Sequence, residues 1–173
     1  MATDQADFYL DRLRKVLIFR YLPDSALKEI LKIADVIHYK KDDRIISEGE
    51  VSQYLYAVLE GGVNVFVKQE GQGEVFLTTL DAGNVFGEAG MFLKVKRTAN
   101  VVSTDNSAIL RISRDDLFEF ISKRSQSGIK MLLIIIYSLL MKLSQSSQEL
   151  AFERKSNLAQ EDVDLLIDDF IKR

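Results

Sequence analysis

The sequence contains no cysteine, a single histidine and a single proline in 173 residues. Without cysteine there are no disulfides, thiolate metal sites, iron–sulfur clusters or cysteine nucleophile. A reducing cytoplasmic setting fits that composition. One histidine, His38, excludes metal sites built from clustered imidazoles and most histidine-based acid–base schemes. Within "DVIHYKK" it reads as a satisfied or surface strand residue. There is no excess of positive charge either. A formal net charge of −3 gives no global field toward nucleic acid or an anionic membrane. The N-terminal "MATDQADFYLDRLRK" lacks the apolar core of a signal peptide. What is present, 47% hydrophobic and 28% charged residues, describes a soluble globular domain with an extension.

The pattern changes character twice along the chain. Residues 8–35 are helical in period, with Phe8, Leu10, Leu13, Val16 and Leu17 recurring on one side. The proline opens a second helix in "LPDSALKEILKIADVI", where Asp24 or Ser25 is the expected N-cap. From about residue 36, short β-type runs alternate with Asp-Asp, Gly-Gly, Gly-Gln-Gly and Asp-Asn punctuation. In "GGVNVFV", Val63, Val65 and Val67 share one face and Asn64 and Phe66 the other. About eight such strands predict an antiparallel sandwich or jelly roll.

Helical period returns after Ser113, the expected N-cap of "SRDDLFEFISKR", whose Asp115 and Asp116 suit the helix dipole. A second helix of about 25 residues follows, apolar nearly all round from Met131 to Met141. The run between Lys130 and Lys142 is too short for a membrane span. A second copy of the chain is the simplest cover for the face that its own domain leaves open, which predicts a homodimer through residues 129–150. Residues 156–173 form an amphipathic segment with Val163, Leu166, Ile167 and Phe170 on one side. That segment either packs back on the domain or docks a protein partner.

The stretch "FGEAGMFLKVKRTANV", residues 86–101, fits neither a plain strand nor a plain helix. Gly87 permits unusual dihedrals and close approach of a ligand. A helical turn beginning at Glu88 exposes backbone N–H groups to an anion. Arg97 brings a planar bidentate donor suited to phosphate. Glu88, an acceptor when ionised, suits a sugar hydroxyl beside it. On these residues alone, a Glu88–Arg97 salt bridge closing a loop is an equal reading.

The surrounding pattern resembles the phosphate-binding cassette of the cyclic nucleotide-binding domain family. Gly83, Asn84, Phe86, Gly87 and Glu88, then Arg97, Thr98, Ala99 and Val101, stand at the positions of its motif. Upstream, Gly49, Tyr56, Gly61 and Val63 fall where the family has its structural glycines and strands. Asn84, Asp42 and Lys96 depart from the residues common at their positions. The resemblance covers residues 8–150, with 151–173 as a helical extension. It implies an α+β fold: an antiparallel β jelly roll (double-stranded β-helix) with N-terminal helices and a long C-terminal helix of the dimer type.

It also implies the roles. Arg97 binds the exocyclic phosphate with the amides of Ala89 and Ala99, Gly87 lets the chain approach, and Glu88 accepts from the ribose 2′-hydroxyl. The Thr98 hydroxyl serves phosphate or a guanine edge, and Val65 and Leu77 line the purine. The helix "LLMKLSQSSQEL" is similar to the dimer helix of bacterial catabolite activators, where a hydroxyl pair meets the adenine amino group. Ser146 and Ser147 match that pair, or are helix-surface serines. The first reading favours cyclic AMP over cyclic GMP. No cofactor, metal or catalytic group is expected, nor direct DNA binding, since the remaining acidic residues hold no basic recognition helix. A stand-alone receptor that signals through its C-terminal helices is the leading expectation. A scaffold module with an unused pocket is the alternative, and an enzyme on a cupin-like barrel is disfavoured by the single histidine.

Overall fold

The computed structural model describes residues 3–69, 71, 73–93 and 95–150, with side chains between residues 8 and 144. Helix α1 (Thr3–Leu13), a single 3-10 turn (Leu17–Phe19) and helix α2 (Asp24–Ile33) come first. The eight expected strands follow: β1 (Ala34–Tyr39), β2 (Arg44–Ile46), β3 (Tyr54–Glu60), β4 (Gly62–Gln69), β5 (Gly73–Asp81), β6 (Val85–Phe86), β7 (Asn100–Ser103) and β8 (Ser107–Ser113). A short helix, α3 (Glu88–Phe92), interrupts the strands, and α4 (Arg114–Lys123) and α5 (Ser125–Leu150) close the described chain.

The strands form two four-stranded antiparallel sheets, ordered β1-β8-β3-β6 and β2-β7-β4-β5. This is the jelly roll that the punctuation predicted. Strand β3 reads "YLYAVLE" without polar alternation because both of its faces are covered. Leu55, Ala57 and Leu59 meet the helices together with Ala108, Leu110 and Ile112 of β8. Tyr56 and Val58 point the other way, into the space between the sheets, with Val63, Phe86, Val101 and Ile109. Strand β5 is an edge strand, half-buried at best along its length.

Local details follow residue chemistry, with one correction. Ser113 caps α4, its Oγ accepting from the Asp116 amide at 3.1 Å. At α2 the cap position belongs to Pro23, which offers no side-chain cap, and Asp24 is the first helical residue. Its carboxylate accepts from Arg14 instead, at 2.8 Å. Asp42 holds φ +67° in a turn, the left-handed geometry a short polar side chain tolerates best after glycine. His38 is satisfied: its Nε2 lies 3.1 Å from the Tyr9 hydroxyl across β1 and α1.

Helix α5 has two unlike faces. Met131, Ile134 and Ile135 are buried in the core. Ile129, Leu133, Ile136, Leu140 and Leu143 are exposed, at alternating spacings of four and three that place them in one stripe. By length and composition, Ser125–Ser144 is sufficient to cross a membrane, with hydropathy 1.6. The core helix of a soluble protein passes the same test of length and composition. The buried face nevertheless joins α5 to the domain core. Residues 156–173 lie outside the described residues.

Candidate functional site

The chain reverses at Asp81–Asn84, where Gly83 takes φ +98° and the Asn84 side chain donates to the Asp81 carbonyl at 3.0 Å. Strand β6 then delivers Phe86 to the inter-sheet core and Val85 to the core on the helix side, and Gly87 turns the backbone with φ +83°. A Cβ there would lie 2.8 Å from Arg97 Nη1 and 3.0 Å from the Tyr54 carbonyl, so glycine is required twice, by dihedral and by space. Helix α3 starts at Glu88, the one helical turn expected after the glycine.

Arg97 lies on the segment between α3 and β7 and is 5% exposed. Its guanidinium is held on three sides. Nη1 donates to the Gly87 carbonyl, Nη2 to the Tyr54 carbonyl and Nε to Ser52 Oγ, each at 2.8 Å. The Tyr56 ring lies beneath it, 5.6 Å from ring centroid to guanidinium carbon, and stacks on Phe86 at 5.0 Å. Burial pulls the Arg97 pKa below the usual value, opposed by Tyr56, Glu50 and Glu88, and burial raises that of Tyr56.

Glu88, 6% exposed, does not share a salt bridge with Arg97. Its Oε1 accepts from Lys142 Nζ of α5 at 2.5 Å, and the same ammonium donates to the Val85 carbonyl at 3.3 Å. The loop-closing ion pair is thus absent. Glu88 and Arg97 instead border one cavity of about 450 Å³, within the range of small-molecule sites (roughly 300–1,000 Å³).

Of the residues expected at the site, Gly87, Glu88, Ala89, Arg97, Thr98, Ala99 and Val65 all line this cavity. Leu77 does not, and is 55% exposed. The reason is a bulge in the β4–β5 ladder: Val65 pairs with Thr78 and Phe66 with Phe76, so Leu77 is the extra residue. One added residue inverts the side-chain phase, and Thr78 and Leu80 face the cavity in its place. Ser146 and Ser147 continue the α5 backbone, but their side chains lie outside the described residues.

Sequence reasoning missed the helical wall: Tyr137, Ser138, Met141 and Lys142 line the cavity from α5. The signal was present, since Tyr137 and Ser138 are the polar interruptions in the apolar run and Lys142 ends it. Ser52, which reaches Arg97 from the loop before β3, carried no motif signal.

A jelly roll with a short helix inside it, and a buried arginine and carboxylate at one cavity, define a cyclic nucleotide-binding domain. The chain belongs to that family: it matches the "Cyclic nucleotide-binding domain" over residues 36–124, just over half of its length. It is 32% identical over 117 residues to a Drosophila melanogaster cGMP-dependent protein kinase, spanning 66% of this chain and 12% of the kinase. It is 30% identical over 97 residues to the Blastocladiella emersonii cAMP-dependent protein kinase regulatory subunit, spanning 56% and 24% respectively. The chain therefore spans at most about a quarter of these relatives. Among solved structures, the Methylobacillus flagellatus cyclic nucleotide-binding domain superposes with TM-score 0.71 at 22% identity, covering 90% of this chain and 88% of that one. The Thermus thermophilus catabolite activator protein gives 0.70 at 24%, covering 78% and 62%. At these identities the structures establish the fold.

Proposed function

We propose that the chain is a cyclic nucleotide receptor whose cavity takes a purine 3′,5′-cyclic monophosphate. One observation carries the reading: Glu88 and Arg97 border the same cavity without neutralising each other. An arginine buried among carbonyls keeps its charge for an anion, and a carboxylate at the other end suits a sugar hydroxyl. Arg97, with Ala89 and Ala99 amides, would hold the phosphate, Glu88 the ribose, and Val65, Thr78 and Leu80 the base. Cyclic AMP stands ahead of cyclic GMP on the strength of Ser146 and Ser147, and Thr98 accommodates either.

The output reading follows from α5. A ribose hydroxyl donating to Glu88 meets the carboxylate that Lys142 already holds, so occupancy alters what α5 contacts. Ligand then favours one helix arrangement to the extent that it binds that arrangement better. The exposed stripe from Ile129 to Leu143 supports a second copy of the chain as the partner of α5. Residues 156–173 are proposed to dock a further protein.

Thermal melting and calorimetric titration with cyclic AMP, cyclic GMP and a cyclic dinucleotide test the reading. Nucleotide at ~100 times its dissociation constant should stabilise the protein by about 2.7 kcal/mol. No shift with any of the three leaves the scaffold alternative. Competition between the two mononucleotides reads the base preference, and sedimentation equilibrium of the same sample reads the association of copies.

A further inference from the structure

The contacts that hold the Arg97 guanidinium are of two kinds. The carbonyls of Gly87 and Tyr54 are backbone atoms, fixed by the fold. Ser52 is a side chain, and it is itself oriented. Its hydroxyl donates to Glu50 Oε1 at 3.2 Å, which commits the oxygen lone pairs to Arg97 Nε at 2.8 Å. The same short loop also grips the Arg97 main chain. Arg97 N donates to the Glu50 carbonyl and Gly49 N to the Arg97 carbonyl, each at 2.8 Å. Residues 49–52 thus fix both where Arg97 sits and how its side chain is turned.

From this relay we infer that Ser52, aligned by Glu50, is the positioning residue that aims Arg97 at the ligand's phosphate. The inference rests on the receptor reading. The Nε contact sets rotation of the guanidinium plane about its last torsion, and the plane decides where the remaining N–H groups of the terminal nitrogens point. Ser52 also acts as a spacer. A carboxylate placed directly on Arg97 would compete with a phosphate for the same donors. A hydroxyl passes on the orientation from Glu50 while leaving the guanidinium charge to the ligand.

The test measures the affinity of the full chain for cyclic AMP and cyclic GMP and for the Rp and Sp phosphorothioates of each. These differ in which phosphate oxygen is replaced by sulfur, so their affinity ratio reports the aim of Arg97. Ser52→Ala should weaken cyclic nucleotide binding about tenfold and shift the Rp/Sp ratio. Ser52→Thr, which keeps the hydroxyl, should restore both to within about twofold. Glu50→Gln should change affinity about threefold, in the same direction as the alanine variant. An unchanged Ser52→Ala protein overturns the positioning role. So does a variant that melts earlier without ligand yet keeps the wild-type Rp/Sp ratio, because that pattern is structural support alone. Wild-type protein that binds neither nucleotide overturns the receptor reading along with it, whereas wild-type binding with a flat Ser52→Ala response overturns this inference only.

Discussion

The two ends of the cavity are built differently. At the Arg97 end, proposed for the phosphate, every group that holds the guanidinium belongs to the barrel: the loop before β3, β3 itself and the β6–α3 junction. At the Glu88 end, proposed for the sugar, the carboxylate is buried in the barrel but its partner Lys142 comes from α5, a helix outside it. The Arg97 end is organised without a side-chain hydrogen bond from α5. The other is shared between the barrel and the element that leads away from it. A ligand that touched both would join a group held by the barrel to one shared with α5, which is the minimum the proposed receptor would need to report occupancy.

Removing the group held by the barrel should have the largest effect. Arg97→Ala is expected to lower cyclic nucleotide affinity by about 3 kcal/mol, more than a hundredfold, in calorimetric titration. Wild-type affinity in that variant would mean the phosphate binds elsewhere and the contrast between the ends is void. Gly87→Ala should come next, because Gly87 stands between the two ends. Its φ of +83° and the crowding by Arg97 and Tyr54 predict a loss of about 2 kcal/mol in denaturant unfolding. A neutral result would show that the junction relaxes freely. Lys142→Met should be the mildest. The ammonium is substantially exposed, so the pair stabilises by no more than about 1 kcal/mol. Amide exchange in the second half of α5 should nevertheless quicken. If α5 exchange is unmoved, the Glu88 end is as fixed as the Arg97 end.

Much of this was readable in the residues, and the failures have physical causes. Strand number, the Gly87 turn, the helix at Glu88 and the Ser113 cap each follow from local chemistry, so short windows of sequence reveal them. The placement of Leu77 was wrong because a bulge leaves no composition signature: the phase of β5 inverts at one residue, and alternation read from sequence continues past it. Lys142 and Ser52 were missed for another reason. Each reaches the site across a separation of more than forty residues, to Glu88 and Arg97 respectively. Only the three-dimensional path of the chain brings them there. The Glu88–Arg97 salt bridge was a fair local reading, and it was the longer-range partners that replaced it.

The double covering of β3 and β8 also sets the order in which the molecule opens. Segments packed on both faces part from the fold last, and half-exposed edge strands part first. Arg97 hangs from the Tyr54 carbonyl at the start of β3, in the slow region, while Thr78 and Leu80 sit on β5, in the fast one. A bound molecule would thus be anchored by its phosphate to a part of the protein that seldom breathes. Its base would lie against a wall that loosens and re-forms many times before that anchor lets go, so the way out of the pocket begins at β5.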